Sequence, residues 1–203
     1  MFITFEGLDG SGKSTQCKKL VSALESKGHR VVLTREPGGT ALAEKIRNLL
    51  LENDGVSDPL TEYLLFTAAR VDHINKVIKP ALEGGKIVIC DRFYDSSVIY
   101  QGVLKGLDLA VMESVYNTAI GDFKPDLTIF IDITPELAIE RSSKRVGTEN
   151  HYDNIRLEKL AKMREGYLNL CQRAKDVLVR IDGDGAENEV FDRIYAIVLK
   201  KLG

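Results

Sequence analysis

Gly7-Leu8-Asp9-Gly10-Ser11-Gly12-Lys13-Ser14 reads G-x-x-x-x-G-K-S, a complete phosphate-binding loop. It leaves the apolar run Phe2-Ile3-Thr4-Phe5 and opens into a helix-like stretch that starts at Lys13. That context gives the pattern its meaning. Glycines let successive backbone N–H groups turn inward around an anion, and a helix N-terminus adds partial positive charge at the same place. Lys13 can then reach the terminal phosphates of a nucleoside triphosphate, and the Ser14 hydroxyl can ligate Mg²⁺. The predicted ATP cradle runs through Gly7, Leu8, Asp9, Gly10, Ser11, Gly12, Lys13, Ser14 and Thr15.

Phosphoryl transfer brings two anions together, so the site needs surplus cations. Three segments supply them. Thr34-Arg35-Glu36-Pro37-Gly38-Gly39-Thr40 leaves a second strand-like run, and Asp91-Arg92-Phe93-Tyr94 leaves a third. Arg141, Lys144 and Arg145 crowd a polar stretch over residues 142–154. An arginine there could swing over a triphosphate as the stretch closes, stabilising transition-state charge while excluding water.

These segments need a frame that brings them to one edge, and the hydrophobic pattern predicts it. Short β-rich runs occur at 2–6, 31–35, 87–91, 127–133 and 177–182, apolar enough to be buried on both faces of a parallel sheet. Amphipathic helical stretches lie between them at 13–26, 41–51, 60–83, 110–120, 135–144, 155–175 and 186–202. Thr134 and Pro135 suit the N-cap and first position of a helix. The alternation predicts a doubly wound α/β fold, a five-stranded parallel sheet with helices on both faces and ligands at the carboxyl ends of the strands. All 203 residues read as one domain, with 142–154 as a short mobile lid.

Composition narrows the class further. With 28 basic and 30 acidic side chains the net charge is −2, which offers no field for a polyanion, so no nucleic-acid partner is expected. Cys17, Cys90 and Cys171 have neither metal nor redox-pair spacing. No signal peptide and no membrane span are read, which predicts a reduced, cytoplasmic, soluble protein. A GTPase should carry N-K-x-D, which is absent, and the D-x-x-G matches at Asp9 and Asp182 are badly placed for a γ-phosphate switch. A compact kinase is the remaining reading.

Phe5-Glu6-Gly7 with the phosphate loop, Thr34 to Thr40, Leu65-Phe66-Thr67-Ala68-Ala69-Arg70 and Asp91-Arg92-Phe93-Tyr94-Asp95-Ser96-Ser97-Val98-Ile99-Tyr100-Gln101-Gly102 occur in that order. Together they resemble the bacterial thymidylate kinases, collinearly and over nearly the whole chain. The resemblance implies ATP + dTMP → ADP + dTDP with Mg²⁺. It also implies a homodimer formed through apolar faces of the long helices after the second and third strands.

Carried over by position, Phe66 would stack on thymine, and Arg70, four residues on, would donate to a thymine carbonyl. Ser97 and Gln101, also four apart, would bond the base edge. Arg92 would hold the monophosphate, supported by Arg47 and the turn containing Arg35, Glu36 and Pro37. Asp9 would approach the 3′-hydroxyl side of the acceptor sugar. Asp91 would bind Mg²⁺ through water, beside Ser14 as direct ligand. Lys13, Asp9, Arg92, Arg141 and Arg145 form the implied catalytic set. Eukaryotic-type relatives carry a loop arginine where this chain has Gly10, and its absence points to Arg141 and Arg145. The family's Asp-Arg-apolar-Glu after the flap is here Asn150-His151-Tyr152-Asp153, with a histidine that is largely neutral at pH 7 as the arginine counterpart.

Two rivals stand beside this reading. One is a kinase for another nucleotide or nucleoside, such as dUMP or a deoxynucleoside, and the other is a non-catalytic nucleotide-dependent module. Tyr100 would crowd the sugar 2′ position. Tyr100→Ala should therefore relax discrimination between dUMP and UMP by about 1–3 kcal/mol, the scale of one pocket contact. An unchanged ratio would remove Tyr100 from the sugar pocket.

Overall fold

The computed structural model describes residues 1–51, 58–146 and 153–203, with side chains over those spans except 143–146 and 153–155. Five strands form one parallel sheet: β1 (Phe2–Glu6), β2 (Val31–Arg35), β3 (Ile87–Asp91), β4 (Leu127–Asp132) and β5 (Leu178–Asp182). Their order is β2-β3-β1-β4-β5, so β1 is central, with Ile3 opposite Ile89 on one side and Leu127 on the other. The chain winds out to β2, returns at β3, and crosses β1 to build β4 and β5. Such a reversal opens a crevice at the carboxyl ends of the strands.

The helices are α1 (Lys13–Ser26), α2 (Ala41–Leu51), α3 (Pro59–His73), α4 (Lys79–Glu83), α5 (Tyr94–Ser97), α6 (Leu109–Ala119), α7 (Pro135–Val146), α8 (Asp153–Arg173) and α9 (Glu187–Leu202). Strand residues alternate between faces, and the two faces bury different helices. Ile3, Phe5, Ile89, Ile129 and Ile131 pack with Leu20 and Leu24 of α1 and with Val190, Ile194 and Val198 of α9. On the other face Phe2, Val88 and Cys90 meet Ile74, Ile78 and Ala81, while Phe130 stacks on Tyr167 of α8 at 4.9 Å. Among the described residues no helix is long and apolar enough to cross a membrane.

The strand and helix pattern read from the sequence reappears with two departures. The stretch 60–83 is interrupted by a π-helical turn, Ile74–Ile78, immediately before α4. Pro80 has no N–H to give and would crowd the carbonyl four residues back, and a wider turn just upstream accommodates both defects. Tyr94–Leu104, absent from the helical stretches read from the sequence, is helical: α5 continues into a second π segment, Val98–Leu104. Its mixed β-branched, aromatic and polar residues give no clean period, and the segment packs on α8, α3 and α6. Thr134 does cap α7, its hydroxyl accepting from Leu137 N at 3.3 Å, and Asp58 caps α3 by accepting from Thr61 N at 2.7 Å.

Ile3 is wholly buried between helices in the central strand. Ile3→Ala should cost about 2–5 kcal/mol, seen as a lower urea midpoint with little change in slope. A loss under half a kilocalorie would contradict this packing.

Candidate active site

The phosphate loop begins where β1 ends, and α1 starts at Lys13 without an acidic residue in its first turn. The helix N-terminus is thus left uncompensated for an anion. Lys13 Nζ donates to the carbonyls of Gly7 at 3.0 Å and Leu8 at 2.8 Å, folding over the loop it belongs to. Burial, with repulsion from Arg92 second, pushes its pKa down to about 8 despite Asp9, Asp91 and Glu6. The Ser14 hydroxyl donates to the Asp91 carboxylate across the gap between α1 and β3. Gly10 sits at φ 89°, and a Cβ there would come within 2.7 Å of the Ala138 carbonyl. The loop therefore has no room for a side chain at this position, where α7 packs against it.

A cavity of about 520 Å³ opens from this loop along the carboxyl ends of β1, β2 and β3. Its middle is organised by Arg92, which has φ 73°, a region that disfavours any side chain. Neighbouring bonds hold it there: Arg92 N donates to Phe5 O at 2.9 Å, and Phe93 N to Glu6 Oε1 at 2.7 Å. The guanidinium then reaches Asp9 at 2.6 Å and Ser96 Oγ at 3.0 Å, over the Tyr100 ring. Burial opposes the charge on both partners. The nearby tyrosines, Asp9 and Glu6 nevertheless raise the Arg92 pKa, and Arg92 with Lys13 holds the Asp9 carboxyl below its usual value.

The far end of the cavity lies between two helices. Phe66 and Arg70 project from α3, and Ser97 and Gln101 from the facing helix. Arg70 is 2% exposed, and its Nε donates to Glu36 Oε2 at 2.7 Å while Nη2 reaches Ser97 Oγ at 3.0 Å and Phe93 O at 3.2 Å. Its Nη1 is buried with no hydrogen-bond partner among the described residues. Glu36 also meets His73 Nδ1 at 3.0 Å, and His73 Nε2 meets the Thr34 hydroxyl at 2.6 Å. Burial works against the Arg70 charge, but Glu36 outweighs it and raises the pKa.

Asp9, Gly10, Gly12, Lys13, Ser14, Arg35, Glu36, Pro37, Arg47, Phe66, Arg70, Asp91, Arg92, Ser97, Tyr100 and Gln101 all line this one cavity. Gly7, Leu8, Ser11 and Thr15 shape the loop behind it. Arg35 is engaged by Glu44 through both carboxylate oxygens, and Arg47 donates to the Pro37 carbonyl at 3.0 Å. Arg141 is not brought to the cavity wall. It lies behind Gly10 and donates to the Gly183 carbonyl at 3.3 Å, beside the loop that follows β5. Of the expected lid, 142–154, residues 142–146 belong to α7 and 153–154 to α8, whereas 147–152, with His151, lie outside the described residues and the Arg145 side chain outside the described side chains.

Four contributors were not singled out from the sequence. Glu6 accepts from Phe93 N, from Ser96 Oγ at 2.5 Å and from Tyr167 at 3.0 Å, and burial raises its pKa. Ser96 passes that anchoring on to Arg92. His73 braces Glu36, and Glu62 braces Gln101 with an oxygen 2.9 Å from the amide nitrogen. Glu62 did carry a signal, since it stands four residues before Phe66 on the same helix face as Arg70.

Comparison with known proteins agrees with this geometry. The thymidylate kinase family model matches residues 5–194. The chain is 44% identical to a thymidylate kinase of Ruegeria pomeroyi, covering 100% of this chain and 96% of that one. It is 41% identical to one of Desulfosudis oleivorans, over 97% and 95%. The crystal structure of a thymidylate kinase from Ehrlichia chaffeensis superposes with a TM-score of 0.80 at 37% identity, covering 98% of each chain. Matched over nearly its whole length in both sequence and fold, the chain belongs to the thymidylate kinase family.

Proposed function

We infer that this protein transfers the γ-phosphoryl group of ATP to thymidylate, giving ADP and thymidine diphosphate for nucleotide biosynthesis. The observation that carries the choice of base is Arg70 Nη1, a buried donor without a partner at the wall of a cavity that also holds Phe66 and Gln101. An unmet buried donor costs about 1–3 kcal/mol, which a base carbonyl would recover. Thymine O4 fits that role, with Phe66 against the ring face and Gln101 on the N3 edge.

Arg92 favours a monophosphate over a nucleoside as acceptor. Asp9 occupies it at 2.6 Å, and an incoming phosphate would compete for the same guanidinium. The acceptor oxygen then attacks the γ-phosphorus in line as the bond to the β-phosphate oxygen breaks. Lys13, released from the Gly7 and Leu8 carbonyls, follows the charge on the transferring group. Ser14 and Asp91 offer paired hard oxygen donors, which fit Mg²⁺. That ion, when bound, neutralises charge on the β- and γ-phosphates. In this reading the whole chain is one domain, 142–154 closes over the triphosphate, and Arg141 and Arg145 supply the late positive charge.

We further assign a cytoplasmic homodimer. Leu42 and Leu49 on α2, Leu60 and Leu64 on α3 and Val111 on α6 are 38–49% exposed, on helices that pack beside one another. Sedimentation equilibrium reads the assembly directly, and a monomer would remove this assignment.

ADP release should be measured from Mg-ATP with dTMP, dUMP, UMP, dCMP, GMP and thymidine offered separately. Preference for dTMP with dUMP second is expected. Turnover with a different acceptor would discard the base-recognition residues, and ATP binding without turnover would discard the enzyme. Lys13→Ala should lower turnover about 10³-fold or more while the fold persists, the scale of a lost charge-stabilising donor. Near-normal turnover would reject the phosphate-loop role.

A further inference from the structure

Two elements face one another at the far end of the cavity, each with side chains every fourth residue. On α3 they are Glu62, Phe66 and Arg70, and facing them are Ser97 and Gln101 on the helix entered at Tyr94, with Lys105 just past its end. The pairs across them run in opposite directions. Arg70 reaches Ser97 at 3.0 Å, and Glu62 Oε2 receives both Gln101 Nε2 at 2.9 Å and Lys105 Nζ at 2.8 Å. Phe66 stands between these two levels.

A glutamine amide is symmetric in shape but not in hydrogen bonding: one end donates and the other accepts. A carboxylate paired with a lysine can only accept, so it fixes the Gln101 nitrogen on its own side. Gln101 is 2% exposed, so giving up that pairing would leave its amide nitrogen unmet away from water. No described residue donates to Gln101 Oε1, and Gln101 lines the cavity. We propose that Glu62 is a positioning residue that sets the direction of the Gln101 amide and thereby selects an imide base. This rests on the proposed thymine site.

The chemistry follows from the two free positions. Gln101 presents an acceptor and Arg70 Nη1 a donor. The C4 carbonyl and N3–H of thymine or uracil complement that pair. Cytosine offers the reverse, an N4 amino group and an unprotonated N3, which would leave both protein groups opposed to like groups. A reversed Gln101 amide would remove half of that barrier. Without Glu62, Lys105 is the nearby donor that would draw Oε1 away from the cavity.

The test uses E62M, which keeps length and helix propensity but has no acceptor oxygen, and E62Q, which keeps one. kcat/KM is measured for dTMP, dUMP and dCMP with the full chain, after thermal melts establish that each variant is folded. In E62M the dTMP-to-dCMP ratio should fall about tenfold or more, carried mainly by KM, the scale of an unmet buried polar group. The dTMP-to-dUMP ratio should hold, because both bases carry the same imide edge, and E62Q should keep most of the discrimination against dCMP. A dCMP ratio unchanged in folded E62M, or both ratios falling together, would overturn the role of Glu62. A wild-type protein with no preference for dTMP over dCMP would instead overturn the thymine site itself.

Discussion

A guanidinium taken out of water needs an anion beside it, and the base end of this cavity is arranged around meeting that need for Arg70. Glu36 provides the charge, and its second oxygen is held by His73, which is itself fixed against Thr34. Removing one partner from such a cluster leaves an uncompensated buried charge, a loss of about 3–5 kcal/mol. The path of the segment after β2 follows from this. Gly39 passes so close that a Cβ would lie 2.6 Å from the His73 ring and 2.8 Å from Thr34 Oγ1. The loop is shaped by the ion cluster beneath it.

Glu6 does the same work at the phosphate end. It lies at the carboxyl end of the central strand, wholly buried, and gathers donors from Phe93, Ser96 and Tyr167. Those bonds tie the turn after β3 to β1, which is what keeps Arg92 at its unfavourable φ. The two ends of the cavity are therefore each held by one buried carboxylate at the sheet edge. At the phosphate end, Lys13 is bonded to the carbonyls of its own loop.

Much of this was legible in the sequence, because the signals were local. The phosphate loop is contiguous, the strands are nearly unbroken apolar runs, and Phe66 and Arg70 share a face by simple helical spacing. The helix from Tyr94 was not legible: its period is irregular, and packing on α8 and α3 stabilises it. Glu6, His73, Ser96 and Glu62 escaped for a related reason. Each is tied to a partner from a different element, and a single acidic, imidazole or hydroxyl side chain carries no mark of a partner 37 to 161 positions away. Arg141, expected from the cluster of cations and from the glycine at position 10, points toward the Gly183 carbonyl and does not line the cavity, because the direction of α7 is set by packing that no local pattern encodes.

The close approach of α7 to Gly10 bears on how sequences of this fold can diverge. An arginine in place of Gly10 needs more than that one substitution, because any Cβ at this position meets the Ala138 carbonyl at 2.7 Å. The helix would first have to retreat, and a retreated helix would re-aim the cations it carries. Loop and helix thus constrain each other: a side chain at position 10 clashes with α7 where it lies here and fits only where α7 lies further back. Lineages that place their cations differently would be kept apart by a backbone contact rather than by chemistry.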